Sequence, residues 1–127
     1  MLGRTFAANL VKNEELYKFV YELRERGLAL AVLSDTIEPH ARAIREAGLL
    51  EPFEHAFLSY EVGLRKPNLA IYRFVLEKLG LSPEQVGFTD DNVSNVEGAQ
   101  SLGIRSVRFE GVPSLRQRIL TNFLAIN

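Results

Sequence analysis

Four apolar runs alternate with amphipathic segments along the 127-residue chain, and this alternation limits the fold more than any other feature. Residues 28–33 are apolar without interruption, as in a strand buried on both faces of a sheet. Further strands are predicted over residues 56–58, 86–89 and 104–109. Because helical segments separate these strands, we expect an α/β fold, a doubly wound, Rossmann-like parallel sheet with helices on both faces.

The segments between the strands have helical spacing and recognisable end signals. In the first helix, Asn13 is a candidate cap and Gly27 a candidate end, and the apolar face consists of Leu16, Phe19, Val20 and Leu23. Ser82 and Gln85 have the spacing of a capping box ahead of the strand at residues 86–89. Further helices are predicted from Pro39, from Pro67, over residues 93–102 and from Pro113.

Composition excludes several classes of function. The formal net charge is −1, with 15 basic and 16 acidic residues spread along the chain. The sequence therefore shows no basic face of the kind that binds nucleic acid or an anionic membrane. The chain has no cysteine, which excludes disulfides, thiolate metal sites and a cysteine nucleophile. No signal peptide or transmembrane-length apolar run is present, and we therefore predict a cytoplasmic protein with small-molecule or protein partners.

Polar and charged residues follow the ends of three predicted elements. Ser34 ends the first apolar run, Lys66 precedes the helix at Pro67, and Asp90 and Asp91 follow residues 86–89. The carboxyl ends of parallel strands share one edge of a sheet, so these four side chains could line one crevice. A hydroxyl and an ammonium suit a phosphate group, and two carboxylates suit Mg²⁺.

The order and spacing of these residues resemble the haloacid dehalogenase-like hydrolase superfamily. The resemblance is to the branch that includes bacterial sugar-phosphate phosphatases and the amino-terminal phosphatase domain of soluble epoxide hydrolases. Residues 30–36, an apolar strand ending in Ser34, look like the second motif of that family, and residues 63–67 look like its third. Asp90 and Asp91, followed by Asn95 and Val96, look like the fourth. The resemblance covers roughly residues 13–120.

This resemblance implies roles for individual residues. Ser34 and Asp35 would bind the substrate phosphate, although Asp35 stands where the family commonly has Asn. Lys66 would be catalytic, because it would stabilise the charge of the nucleophile and of the phosphoryl group, and Asp91 together with Asp90 would hold Mg²⁺. The resemblance thus implies a Mg²⁺-dependent phosphatase of small phosphate monoesters. Thr89 departs from the aliphatic residue usual before the acid pair.

The first motif of the family, Asp-x-Asp at the end of the first strand, is missing. The only aspartates are Asp35, Asp90 and Asp91, and residues 5–11 offer no substitute. In that family the first aspartate of the motif is the covalent nucleophile and the second is the general acid and base, so both roles are unfilled. We therefore expect the isolated chain to be inactive.

The missing motif also predicts a missing strand. In the family the first strand lies at the centre of the sheet, so we expect four strands and two neighbours with unpaired backbone groups. We interpret residues 1–12 as a cap remnant or linker, and residues 13–127 as a core domain that is incomplete at its amino terminus. Direct pairing of the two orphan edges, or strand exchange in a homo-oligomer, would close the gap.

Other interpretations remain open at this stage. Ser34 could cap a helix, Lys66 and Arg65 could be solvated, and the aspartates could cap the helix that begins near Val93. The two histidines, His40 and His55, are expected at the surface.

The alternative function is a non-catalytic phosphate- or Mg²⁺-binding or assembly module. A phosphorelay receiver is disfavoured because receivers place their acid pair after the first strand. Dehalogenase activity is disfavoured because the aspartate pair and Asn95-Val96 are typical of the phosphatase branch.

Overall fold

The computed structural model describes residues 5–8 and 14–123 of the chain. Five strands and six α-helices are present within these residues. The strands are β1 (Thr5–Ala8), β2 (Ala29–Ser34), β3 (His55–Leu58), β4 (Val86–Asp90) and β5 (Arg105–Arg108). The helices are α1 (Glu14–Glu25), α2 (Glu38–Glu46), α3 (Ser59–Val62), α4 (Leu69–Leu79), α5 (Val93–Ser101) and α6 (Val112–Arg118). A 3₁₀ turn, Pro83–Gln85, precedes β4, and a π-helical turn, Ile119–Phe123, follows α6.

The strands form one parallel sheet in the order β3-β2-β1-β4-β5. The chain moves outward from β1 through β2 to β3, and then crosses to β4 on the other side of β1. Ligands of open α/β sheets bind at the carboxyl edge where the strand order reverses, which is the boundary between β1 and β4 in this sheet. The predicted doubly wound α/β fold is confirmed.

The predicted gap at the centre of the sheet is wrong. β1 occupies the central position and pairs with both neighbours, Ala8 lying in register with Val32 on one side and Thr89 on the other. The backbone groups at the centre of the sheet are therefore paired within one chain. Neither direct pairing of β2 with β4 nor a strand from a second protomer is needed to close the sheet.

This finding also changes the interpretation of residues 1–12. Four of them, Thr5–Ala8, belong to the sheet, so the core does not begin at residue 13. Residues 1–4 and 9–12 of the expected cap remnant, and the proposed cap Asn13, lie outside the described residues. A four-residue strand with two alanines at its end gives little sequence signal, because alanine is depleted in strands.

Two apolar clusters lie on opposite faces of the sheet. Leu28 and Leu30 pack towards α1 and α6, whereas Ala31 and Leu33 pack towards α4 and α5. This alternation follows from the two-residue period of a strand, which sends successive side chains to opposite faces. A strand covered on both faces must be apolar throughout, which explains the unbroken run that the sequence shows.

Most predicted element ends are confirmed. Gly27 and Gly80 have φ values of 91° and 67°, and they follow α1 and α4 as the sequence predicts. In the capping box, the backbone N–H of Ser82 donates to Gln85 Oε1 over 3.1 Å. Helix α4 begins at Leu69, two residues after the predicted start at Pro67, and Asn68 caps it by accepting a hydrogen bond from the Ala70 N–H at 2.9 Å.

Candidate functional site

Lys66 bridges the two strands that flank β1. Its Nζ donates to the carbonyl oxygen of Leu33 in β2 at 3.0 Å and to Asp90 Oδ2 in β4 at 2.6 Å. Leu33 and Asp90 each stand one residue beyond the partners of Ala8 in the register. Neighbouring strands are about 4.8 Å apart, so a group bonded to both β2 and β4 must lie over the carboxyl end of β1. The ammonium of Lys66 therefore occupies the centre of the sheet edge.

Asp90 is held by a dense set of donors. Oδ2 accepts hydrogen bonds from Lys66 and, at 3.2 Å, from Asn95 Nδ2, whereas Oδ1 accepts one from the backbone N–H of Asn92 at 2.9 Å. Burial alone would raise the pKa of Asp90, because it disfavours the charged form. The hydrogen bonds from Lys66 and Asn92, with the positive charge of Lys66, outweigh burial, and the pKa of Asp90 lies below its ordinary value.

The loop after β2 runs against the segment that carries Lys66. Asp35 Oδ1 accepts a hydrogen bond from the backbone N–H of Lys66 at 3.1 Å. Ser59 at the start of α3 fixes the same loop, because its Oγ accepts from the Thr36 N–H at 2.8 Å and donates to the Thr36 carbonyl at 3.0 Å. Ser34, the last residue of β2, is buried next to these contacts. The second and third motif segments therefore meet at one place.

Tyr72 in helix α4 binds Asn95, which in turn binds Asp90. The hydroxyl of Tyr72 donates to the Asn95 carbonyl at 2.7 Å, and Asn95 in turn donates to Asp90. Burial raises the pKa of Tyr72 well above its ordinary value, and the negative charges of Asp90 and Asp35 add to the effect. Tyr72 therefore stays neutral and remains a hydrogen-bond donor across the physiological pH range.

The structure decides several of the open interpretations. Lys66 is buried rather than solvated. Asn92, not Asp90 or Asp91, caps α5, because its Oδ1 accepts from the Ser94 N–H at 2.9 Å. Helix α2 has Ile37 at its cap position without a side-chain cap, so Ser34 does not cap it. As predicted, the two histidines and Arg65 are exposed: His40, His55 and Arg65.

The sequence reasoning missed two supporting residues, Asn95 and Ser59. Asn95 was visible within the fourth-motif pattern, but its side chain was not predicted to bind Asp90. Ser59 gave no local signal, because its partner Thr36 lies 23 residues away in the sequence.

The carboxylates of Asp90 and Asp91 suit the binding of a magnesium ion that keeps much of its water shell. Asp91 is exposed, and Asp90 Oδ1 accepts only the hydrogen bond from Asn92 among those described, which leaves it acceptor capacity. Among residues 14–123, no group of three or more His, Cys, Asp or Glu side chains lies close enough to enclose a metal. Mg²⁺ is commonly bound through one or two carboxylates, with water and substrate phosphate completing its shell, and Asp90 and Asp91 fit that pattern.

The chain offers no carboxylate nucleophile for this edge of the sheet. Residues 1–13 contain neither aspartate nor glutamate, and the residue after β1 in the sequence is Asn9, which lies outside the described residues. In the family that the motifs resemble, the nucleophile ends the central strand. The structure therefore assembles Ser34, Asp35, Lys66 and Asp90 around a position for which this sequence supplies no attacking group.

Comparison with known proteins establishes the family. A model of the haloacid dehalogenase-like hydrolases matches residues 4–103, which include β1 as well as the three motif segments. The chain belongs to this family of hydrolases.

Individual relatives differ in function. The chain is 37% identical over 95 residues to a phosphoserine phosphatase of Thermus thermophilus, which covers 73% of this chain and 38% of the relative. It is 49% identical over 70 residues to drimenol cyclase drtB of Aspergillus calidoustus, which covers 55% of this chain and 13% of that protein. The chain thus spans less than half of the length of either curated relative.

Solved structures similar to this chain include some that carry ligands. A HAD family enzyme of Bacteroides thetaiotaomicron, in complex with magnesium and inorganic phosphate, superimposes with a TM-score of 0.70 at 28% identity. The match covers 76% of this chain and 52% of that enzyme.

Within the part of our chain that the structure describes, no helix has the length and apolar character needed to cross a bilayer.

Proposed function

We propose that this chain is the phosphate- and magnesium-binding part of a cytoplasmic, Mg²⁺-dependent phosphatase of small phosphate monoesters, and that the chain by itself binds these ligands without turnover. The family membership and the phosphatases among the curated relatives support the hydrolase class. The fold supports it as well, since the candidate residues lie at the edge where such sheets bind ligands.

One observation carries the proposal: the ammonium of Lys66 lies over the end of the central strand, bonded to Leu33 and Asp90. A buried cation beside Ser34 can neutralise phosphoryl oxygens, and its hydrogen bonds hold it in place before a ligand arrives.

Each residue has a defined task in the proposed site. Ser34 donates a hydrogen bond to the phosphate, Lys66 supplies positive charge, and Asp35 fixes the Lys66 backbone. Asp91, with Asp90, holds the magnesium ion, which when bound would neutralise phosphate charge.

Turnover by this family requires a carboxylate nucleophile at the carboxyl end of the central strand. In this chain β1 holds the central position and no aspartate or glutamate precedes Glu14. We propose that, in a full-length enzyme, a strand ending in Asp-x-Asp takes the place that β1 holds here. The isolated chain is then a binding module, which is also the alternative function that the sequence left open.

The proposal is tested by ligand binding and turnover on a chain of verified mass. Titration calorimetry with Mg²⁺ and inorganic phosphate is compared for the wild type, Asp91→Asn and Glu84→Gln. Glu84 is a matched control, because it is an exposed carboxylate at the opposite end of β4. We expect Asp91→Asn to weaken Mg²⁺ binding by about tenfold or more, a change of about 1.4 kcal/mol, and Glu84→Gln to leave it unchanged.

Hydrolysis of a generic phosphate monoester with Mg²⁺ completes the test. We expect no turnover by the wild-type chain. Turnover that disappears in Asp91→Asn would show that the chain is itself an enzyme and would overturn the binding-module part of the proposal. A folded wild-type chain that binds neither Mg²⁺ nor phosphate would overturn the site.

A further inference from the structure

A cavity of about 360 Å³ opens beside the candidate phosphate site, between the loop after β2 and helix α3. Asp35 and Arg65 line it, and these residues directly follow Ser34 and directly precede Lys66. Both chain segments that form the phosphate site thus continue into the cavity walls. Its volume falls within the range of about 300–1,000 Å³ that is typical of small-molecule pockets.

Part of the cavity wall is apolar and exposed to solvent. Ile37 and Tyr60 line it, and 56% and 38% of their respective surfaces are exposed. They are two of four large hydrophobic residues that are exposed in the described part of the chain, the others being Tyr21 and Val93. Two such residues facing one cavity form a local apolar surface, and a surface of this kind next to polar groups is typical of a ligand site.

The cavity is held in shape by hydrogen bonds that involve its own lining. Ser59 and Thr36 join α3 to the loop through two hydrogen bonds, of 2.8 and 3.0 Å. The hydroxyl of Tyr60 accepts a hydrogen bond from Arg45 Nη1 at 3.3 Å, which orients the ring. The walls are therefore formed in the absence of a ligand, which lowers the entropic cost of binding.

We propose that this cavity, the apolar cavity, binds the organic group of a phosphate monoester whose phosphate lies at Ser34 and Lys66. This inference rests on the function proposed above, and it narrows the substrate class to monoesters with an apolar group. Arg65 lines the cavity and directly precedes Lys66 in the sequence, so we expect the anionic end of the ligand to point towards Lys66 and its apolar end to contact Ile37 and Tyr60. The cavity holds the volume of about a dozen water molecules, which suits a short alkyl or aryl group.

The test compares n-octyl phosphate, methyl phosphate and inorganic phosphate by titration calorimetry with Mg²⁺ present. We expect n-octyl phosphate to bind about tenfold more tightly or better, because burial of about two methylene groups already supplies that factor. Ile37→Gln and Tyr60→Gln should each reduce this preference while inorganic phosphate binds as before. Tyr21→Gln, at a position on α1 with an exposure between those of Ile37 and Tyr60, is the matched control and should change neither.

The outcomes separate the two proposals. If inorganic phosphate binds and n-octyl phosphate binds no more tightly, the apolar cavity is not a substrate subsite and the proposed function stands. If no phosphate compound binds to the folded chain, the proposed function fails and this inference fails with it. A preference for n-octyl phosphate that survives both cavity substitutions would also overturn the inference, because the apolar group would then lie elsewhere.

Discussion

Lys66 and Asp90 are each about 1% exposed in their side chains, so neither charge is solvated by bulk water. Removing two charges from water is costly, and their attraction offsets that cost only when further hydrogen bonds complete the arrangement. Leu33, Asn95 and Asn92 supply those bonds. A buried pair of this kind is therefore weak evidence for a purely stabilising role.

Thr89 is the residue whose role is least explained by its surroundings. It is buried, and within the described part of the chain its Oγ1 has no hydrogen-bond partner. A buried hydroxyl without a partner costs about 1–3 kcal/mol relative to a satisfied one. We therefore predict that Thr89→Val, which keeps the shape, leaves stability unchanged or raises it by about 1 kcal/mol, as measured by urea unfolding.

Ser106 provides the comparison for this prediction. Its Oγ is buried and donates to the Ile104 carbonyl at 3.0 Å, so Ser106→Ala should destabilise the protein by about 1 kcal/mol. A loss of stability in Thr89→Val as large as that in Ser106→Ala would mean that the Thr89 hydroxyl has a stabilising partner in the folded chain.

At the scale of elements, helices α4 and α5 approach each other closely at Gly98. A Cβ atom at Gly98 of α5 would lie 3.0 Å from Tyr72 Cε2 and 3.1 Å from the Pro67 carbonyl oxygen. The carbonyl belongs to the backbone and cannot rotate away as a side chain could. Glycine at this position lets α5 approach α4 closely enough for Tyr72 to reach the Asn95 carbonyl.

Gly98→Ala should therefore destabilise the protein. On helix propensity alone alanine would be favoured by about 1 kcal/mol, whereas the steric clash should cost about 1–3 kcal/mol or more. We expect a net decrease in the unfolding free energy in urea, and little change for the exposed neighbour Glu97→Ala. An increase in stability for Gly98→Ala would show that the two helices separate readily.

Elements with strong local signals were predictable, and β1 was not. The unbroken apolar run of β2 and the glycine after α4 each specify their structure locally. β1 is specified by its two neighbours, since β2 and β4 both present unpaired backbone groups to Thr5–Ala8. Such pairing depends on residues more than 20 positions away, and no local pattern in residues 5–8 reveals it.

At the scale of the whole molecule, topology made the edge of the site predictable but not its internal contacts. The sequence predicted that Ser34, Lys66 and the aspartates meet at the carboxyl edge, because parallel strands place their ends together. It assigned Lys66 to phosphate and Asp90 to metal, whereas the structure bonds the two residues directly, 24 positions apart. The path of the segment between α3 and α4 brings Lys66 over β1, and spacing alone does not determine that path.

The buried pair should make the stability of the whole fold depend on acid. The pKa of Asp90 is lowered in the folded state, so its contribution to stability is fully present above its unfolded pKa of about 3.9 and is lost as the pH falls through the lower folded value. We expect the urea midpoint to change little between about pH 7 and 5 from this group, and to fall below about pH 4.

Lys66→Met reverses the sign of this effect. Burial remains and the neighbouring positive charge is removed, so the pKa of Asp90 should rise above its ordinary value. The stability of the variant should then increase as the pH falls through that raised pKa, because Asp90 becomes neutral first in the folded state. The variant should also lose about 3–5 kcal/mol at neutral pH, because it leaves Asp90 as an uncompensated buried charge. If Lys66→Met does not fold, carbon-detected NMR titration of the Asp90 carboxyl in the wild-type chain still measures whether the pKa of Asp90 is lowered. A wild-type pKa at or above the ordinary value would show that the hydrogen bonds and the charge of Lys66 do not outweigh the burial of Asp90.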